Sequence, residues 1–197
     1  MIRLTDLLKE MAMSNPLAGT SVEQSKSEIS KVIQAAQQMG EQNPVLWRGS
    51  SGLKSPGLRT TYLPQIMYVT GDRQEFRGSS DNAYSLISKV FQKENPQPVF
   101  AYGNISRASF FGTPGVVVFE QPFTIYQSEV VDDVKRFSTG ATEDQIQKGA
   151  KTYKQKELSN LNPNIEVVVD ATNYWLLFNM RGVKTYQSVV RMLSTLI

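Results

Sequence analysis

The pattern of apolar and polar positions predicts one amphipathic helix followed by a mixture of short strands and helices. Ser21 and Gln24 form a capping box, and Gly40 supplies a stop, so the segment 21–40 is predicted to be a helix. Its apolar stripe consists of Ile29, Val32, Ile33 and Ala36. Upstream, an amphipathic stretch ends at Asn15-Pro16. We therefore expect an arm over residues 1–19 and one domain over residues 20–197.

Beyond Pro44 the apolar runs become short and are separated by glycine and proline, which is typical of strands. The predicted strands are 44–49, 65–71, 97–103, 115–121, 164–172 and 173–179. The last two are predicted either as a hairpin or as two sequential strands.

Helical spacing returns between these runs. The predicted helices are 79–92, 104–112, 129–137, 142–158 and 183–197. In the first of them Ser80 or Asp81 is the expected cap, and Tyr84, Ile87 and Phe91 are expected to face inward. Because strands and helices are mixed without strict alternation, the predicted fold class is α+β.

Thr142 with Gln145 is a second capping box, which places the start of the helix 142–158. Gly112 is expected to end the short helix 104–112.

Composition limits the chemistry of the chain. Its 197 residues are 40% apolar and 20% charged, which suits one domain with a sizeable core. Cysteine and histidine are both absent, so disulfides, thiolate or imidazole metal sites and histidine-based catalysis are excluded. No metal is expected, and catalysis would use carboxylates, hydroxyls, Arg, Lys or Tyr.

The net charge of +3 comes from scattered Lys and Arg residues, which predicts a general attraction to anions, with weak nonspecific DNA contact, and no groove-reading mode. No run reaches the ~20 apolar residues of a membrane span, and the charged start is unlike a secretory leader. The absence of cysteine fits a reducing cytosol.

Three strand ends carry polar side chains that could meet at one cleft: Arg48, Tyr102 and Glu166. A guanidinium can hold a phosphate through its forked donors. An aromatic ring can stack on a flat heterocycle, and a carboxylate can stabilise positive charge that develops on a sugar. Together these groups suit the cleavage of an N-glycosidic bond in a cofactor that contains pyrophosphate.

Each of the three residues also has an ordinary interpretation. Arg48 is alternatively a surface ion-pair partner. Tyr102 is alternatively an aromatic at the edge of the core whose hydroxyl reaches solvent, and Glu166 an exposed carboxylate at a strand start.

The order of these motifs resembles the ADP-ribosyltransferase fold family, and more narrowly the small transferase-like proteins of T4-like marine bacteriophages. The resembling features are an apolar-Arg-Gly strand at Leu46–Gly49, an Arg-Ser segment from Arg77 that opens a helix, a Pro-apolar strand leading to an aromatic-Gly pair over Pro98–Gly112, and a late strand opening N-x-E at Asn164. The resemblance covers roughly residues 44–180. It implies a split mixed or antiparallel sheet core flanked by helices, and NAD as the substrate.

The resemblance also implies roles for individual residues. Arg48, with Gly49 and Ser50 after it, would hold the NAD phosphates or the nicotinamide ribose. Glu166 would bind a ribose hydroxyl and stabilise an oxocarbenium-like transition state as nicotinamide leaves.

Tyr102, or an aromatic of the pair Phe110–Phe111, would pack on the nicotinamide. Two positions depart from the family pattern. A Ser or Thr is usual where Ala101 and Tyr102 stand, and Asn164 occupies the place of the second Glu of the arginine-modifying branch. The resemblance therefore implies transfer of ADP-ribose to a host protein at a residue other than arginine.

The first ten residues, MIRLTDLLKE, are similar to the leaders that send internal proteins into the heads of T4-like phages. The resemblance implies cleavage after Glu10 and a location in the virion or, after injection, in the host cytoplasm. An ordinary helix that docks on the domain is the alternative for this segment. For the whole protein, the alternative is a catalytically inactive virion protein that contacts capsid or tail proteins on the same scaffold.

Overall fold

The computed structural model describes residues 22–50, 64–70, 81–180 and 182–197, with side chains from residue 26 onwards. The predicted arm 1–19, the cap at Ser21, the cap at Ser80 and the segment from Arg77 lie outside the described residues. Over the described part the chain is an α+β protein with two antiparallel sheets and six α-helices, so the α+β prediction is confirmed.

The first sheet consists of β1 (Leu46–Ser50), β2 (Gln65–Thr70), β4 (Thr113–Phe119) and β8 (Asn173–Phe178). Their order in the sheet is β1-β4-β8-β2. β4 and β8 are almost wholly buried, because the run of valines in β4 and the aromatic and leucine residues of β8 face cores on both sides.

The second sheet consists of β3 (Pro98–Ala101), β5 (Phe123–Ser128), β6 (Tyr153–Gln155) and β7 (Val167–Ala171). Their order in the sheet is β3-β7-β5-β6. Every pairing in the two sheets is antiparallel. β7 and β8 are separated by one residue but belong to different sheets, so the two strands are sequential and do not form a hairpin.

A backbone bridge joins the two sheets. Trp47 on β1 donates its N–H to the carbonyl of Tyr102 at 2.7 Å, and the N–H of Tyr102 donates to the carbonyl of Trp47 at 2.8 Å. Tyr102 follows β3 directly, so β1 of the first sheet lies beside β3 of the second. We call this junction, formed by Trp47 and Tyr102, the seam; it places residues of both sheets next to one another.

Helices cover the sheets on their outer faces. They are α1 (Val22–Gln38), α2 (Asp81–Phe91), α3 (Ile105–Ser109), α4 (Val134–Ser138), α5 (Glu143–Ala150) and α6 (Tyr186–Ser194). α1 and α6 pack against each other and belong to the larger core, which also fills the space between the sheets. α2, α4 and α5 enclose a second, smaller core on the other face of the second sheet.

Some local predictions are confirmed and others are wrong. The capping box of Thr142 and Gln145 starts α5, as predicted. However, α5 ends at Ala150 and not at 158, because Tyr153 turns into the core and the residues after it pair with β5. The strand β5 itself was not predicted.

The predicted inward face of α2 is wrong by one position at its start. Tyr84 is 37% exposed, whereas Ala83, Leu86, Ile87, Val90 and Phe91 form the buried stripe. The hydroxyl of Tyr84 donates to the carbonyl of Glu94, so the ring lies along the surface beyond the end of the helix. Ile87 and Phe91 face inward as predicted.

Among the described helices, none combines the length and the apolar character that a crossing of the bilayer requires.

Candidate functional site

The seam between the sheets brings Trp47, Tyr102 and Glu166 into one row, and Arg48 lies one position further along β1. Because successive side chains of a strand point to opposite faces, Arg48 leaves β1 on the face opposite to that of Tyr102 and Glu166. Arg48 follows Trp47 on β1, and Trp47 is bonded to Tyr102. On the other side of β3, Ala101 pairs with Val167 of β7, so Tyr102 lies opposite Glu166 in the same antiparallel register. Residues separated by more than a hundred positions in the chain are thus supported by three laterally adjacent segments.

The carboxyl group of Glu166 is buried and hydrogen-bonded at both oxygens. Oε1 accepts a hydrogen bond from the hydroxyl of Tyr102 at 3.0 Å, and Oε2 accepts one from the backbone N–H of Val134 at 2.8 Å. The side chain is only 6% exposed, so the interpretation of Glu166 as an exposed strand-start carboxylate is wrong. Its backbone N–H also bonds to the carbonyl of Asp132, which fixes the loop before α4 against the start of β7.

Burial raises the pKa of Glu166 from its ordinary value of 4.5 to about 8. The hydrogen bond from Val134 opposes this shift, the charge of Asp133 adds to it, and Tyr102 and the positive charge of Arg48 oppose it more weakly. Desolvation therefore outweighs every group that stabilises the anion. At neutral pH Glu166 is mainly a carboxylic acid.

Tyr102 lies between two carboxyl groups and an aromatic ring. Its hydroxyl is 3.0 Å from Glu166 and 3.4 Å from Oδ2 of Asp133. Burial, followed by the charges of Glu166 and Asp133, raises the pKa of Tyr102 far above its ordinary range. The phenol therefore stays protonated and acts as a donor. It does not reach solvent, since Tyr102 is 5% exposed.

Asp133 is a residue of this site that the sequence did not single out. It caps α4 by accepting the N–H of Arg136 at Oδ1 (2.7 Å), while its other oxygen faces the hydroxyl of Tyr102. A carboxylate followed by a short helix indicates a cap. Its proximity to Glu166 has no local signal, because the two residues are 33 positions apart and meet through the packing of α4 on β7.

Arg48 is buried in the seam. It is 9% exposed, so its side chain does not lie on the open surface. Its Nη1 donates to the carbonyl of Phe100 on β3 at 3.3 Å, and its guanidinium carbon lies 5.8 Å from the centre of the Tyr174 ring. The guanidinium thereby connects β1, β3 and β8, in an arrangement that favours a cation–π contact.

The residues after Arg48 lie under α3. A Cβ on Gly49 would be 2.2 Å from the carbonyl oxygen of Ala108 and 2.9 Å from Cβ of Phe111, so only glycine allows α3 to approach β1 this closely. Ser50 is 9% exposed and pairs with Thr113.

Of the two predicted nicotinamide-packing phenylalanines, only Phe111 contacts the site. Its ring stacks on Tyr102, with centroids 5.8 Å apart and an angle of 10° between the planes. Phe110 is 81% exposed. Asn164 is also exposed, and its side-chain oxygen accepts a hydrogen bond from Asn104 at 2.9 Å.

The arrangement provides a proton donor, a carboxyl group with a raised pKa, and a guanidinium whose charge reaches that carboxyl. Groups whose pKa is shifted by burial and by specific neighbours are concentrated at functional sites, although ion-pair networks shift them too. Within the described ranges, no cluster of three or more acidic side chains is arranged to hold a metal ion.

Comparisons of the chain with protein-family models, with curated proteins and with solved structures find no match.

Proposed function

We propose that this protein is an ADP-ribosyltransferase-like enzyme that binds NAD and transfers ADP-ribose to a protein side chain other than arginine. The observation that carries the proposal is the location of Arg48, Tyr102 and Glu166 on adjacent segments of two different sheets, where the charge of Arg48 acts on the Glu166 carboxyl. Neither the order of the elements nor the local sequence requires these three residues to lie on adjacent segments, and they are the residue types that the reaction needs.

Each side chain has a role in the proposed reaction. Arg48 neutralises a phosphate of NAD, for which its charged fork is suited. Glu166 in its ionised form accepts a hydrogen bond from a ribose hydroxyl and stabilises the positive charge on the ribose as nicotinamide leaves. The hydroxyl of Tyr102 holds the carboxylate in position, a task that a serine or threonine hydroxyl would perform in the resembling family.

Calorimetric titration with NAD, and mass spectrometry of a bacterial lysate incubated with the protein and NAD, test the proposal. We expect saturable binding and an added ADP-ribose mass on at least one lysate protein. Glu166→Gln should remove the added mass and leave NAD binding nearly unchanged, because it keeps the shape of the side chain but not its charge. No binding at millimolar NAD together with no added mass would overturn the proposal.

Arg48→Lys is the matched test of the phosphate role. The substitution retains the charge but not the fork, so NAD binding should weaken by roughly tenfold. Arg191→Lys is the control, since Arg191 is exposed and lies on α6, away from strand β1 that carries Arg48. Equal affinities for the wild-type protein and Arg48→Lys would remove Arg48 from the binding site.

A second candidate function is that of a non-catalytic phage virion protein that uses this fold to contact capsid or tail proteins. It is favoured by the burial of Glu166, both of whose oxygens already have partners. In that case Glu166 fixes the loop before α4 and does not act on a substrate. Under this alternative NAD does not bind, and the protein is recovered from purified virions in stoichiometric amounts.

A further inference from the structure

A cavity of about 630 Å³ lies on the second sheet. It opens where α2 and α5 end, and β5 and β6 contribute its floor through Tyr126 and Tyr153. This volume is in the range of pockets that hold small molecules. None of the residues discussed for NAD lines it.

The inner part of the cavity is aromatic. Phe91, Tyr126 and Tyr153 line it, and the rings of Phe91 and Tyr126 are 5.3 Å apart at an angle of 34°. Phe91 and Tyr153 are buried, so their positions are fixed by the core beneath. Such a surface suits a planar ring.

The outer part of the cavity is polar, and its charged groups are cations. Lys89 and Lys151 line it together with the side-chain amides of Gln92 and Gln147. Lys89 is paired with Glu143 at 2.9 Å. Lys151 is exposed and makes no ion pair with any residue that the structure describes. An anionic group is therefore the complement of this rim.

The backbone at Gln92 supplies an independent observation. Its φ is 54°, in the left-handed region, and the N–H of Lys93 bonds back to the carbonyl of Ser88 at 3.1 Å. This is the helix-ending motif in which glycine is usual, because a side chain is strained there. A glutamine nevertheless occupies this strained position, and its residue lines the cavity.

We propose that this cavity is a binding site for a small planar ring carrying one carboxylate or phosphate group. The ring packs against Tyr126 and its aromatic neighbours, the anion pairs with Lys151, and the amide of Gln92 donates to the same anion. The proposal does not rest on the proposed NAD chemistry and holds for either functional alternative.

Phenyl phosphate and benzoate are the two probes, titrated into the full-length protein labelled with ¹⁵N. Benzyl alcohol supplies the ring without charge, and inorganic phosphate the anion without ring. We expect saturable shifts of the amides over 89–92 and 147–153 with at least one ring anion, and binding at least ~10-fold weaker for benzyl alcohol and phosphate. The probe that binds more tightly identifies the carboxylate or the phosphate form of the ligand.

Substitutions at two residues of the cavity, with one control, distinguish an effect on binding from an effect on folding. Gln92→Gly should raise Tm, because glycine relieves the strain of the left-handed backbone. It should also weaken the binding of the ring anion by about threefold or more, because the side-chain amide is lost. Lys151→Gln should weaken the binding of the ring anion by about fivefold. Lys148→Gln is the control and should leave this binding unchanged, since Lys148 pairs with Asp144 and does not line the cavity.

Three results would overturn the proposal. They are the absence of saturable shifts with both ring anions up to about 10 mM, equal binding of benzyl alcohol, and shifts centred on residues 47–50 instead of on the cavity.

Discussion

At the scale of single residues, Glu166 couples folding to pH. The folded chain holds the Glu166 proton with a pKa of about 8, against 4.5 for an ordinary carboxyl group. The resulting stabilisation is fully present below about pH 4.5 and is lost as pH rises through about 8. Between these limits the free energy of unfolding should fall by roughly 4–5 kcal/mol from this group.

Urea unfolding of the wild-type protein and Glu166→Gln at pH 5 to 9 measures this effect. The amide does not titrate, so the difference between the two proteins isolates Glu166 from all other groups. We expect the variant to gain stability relative to wild type as pH rises. Parallel pH profiles would show that the buried carboxyl group does not titrate in this range.

Tyr102→Phe probes the donor of the same carboxyl group. The substitution keeps the ring that stacks on Phe111 and removes the hydroxyl 3.0 Å from Glu166. A hydrogen bond to an ionised group is worth about 1.5–3 kcal/mol and one to a neutral group about 1 kcal/mol. The loss of unfolding free energy should therefore be larger at pH 9 than at pH 5, and an equal loss at both would show that the hydroxyl does not stabilise the anion.

The sequence identified Arg48, Tyr102 and Glu166 as polar groups at strand ends, because each interrupts or borders an apolar run. It did not indicate that Glu166 is buried, nor that Asp133 faces the hydroxyl of Tyr102. Burial of a strand-start residue depends on what packs above it. Here the loop before α4 lies over Glu166 through two backbone contacts, which no pattern near Glu166 reveals.

At the scale of elements, the contact between α3 and β1 depends on one glycine. Gly49→Ala would place a Cβ 2.2 Å from the backbone oxygen of Ala108, and backbone cannot move aside as a flexible side chain can. We expect a loss of about 2–3 kcal/mol in the free energy of unfolding. The displaced α3 would also disturb the stacking of Phe111 on Tyr102.

Gly140→Ala is the control for Gly49→Ala. Gly140 has a φ of 73°, but no atom lies within 4 Å of the position of a Cβ. Its replacement should cost only the backbone strain, about 1 kcal/mol. If thermal or urea unfolding gave the two variants equal stability, close approach of α3 would not be the reason for glycine at position 49.

Elements with complete local signals were predictable from the sequence. The capping box of Thr142 starts α5 where expected, since both of its hydrogen bonds are local. The end of α5 was not predictable, because the segment after Ala150 continues in a helical pattern and is drawn into the sheet by pairing with β5. Strand β5 was missed for the same reason: its neighbours β6 and β7 are distant in sequence, and its own pattern is weak.

At the scale of the whole molecule, the seam joins the two sheets and so determines which residues meet. The α+β class follows from the mixture of periodicities, but the division of strands between the sheets does not. β7 and β8 are separated by one residue and still belong to different sheets. Only the pairing partners, which lie up to about a hundred residues away, decide this.

The pH dependence of NAD turnover tests the seam, Glu166 and the proposed chemistry together. Only the ionised form of Glu166 can stabilise a positively charged ribose, and with a pKa of about 8 roughly a tenth of the molecules carry that form at pH 7. The rate of nicotinamide release, corrected for enzyme-free hydrolysis, should therefore rise by roughly 50–100-fold between pH 6 and 9 and level off above pH 8.

Tyr102→Phe should move the midpoint of this profile to higher pH, because it removes a hydrogen bond that favours the anion. Glu166→Gln should show no rise at any pH. A midpoint unchanged by Tyr102→Phe would mean that the titrating group is not the carboxyl that Tyr102 contacts. A rise retained in Glu166→Gln would assign the chemistry to another residue, even if NAD binds at Arg48.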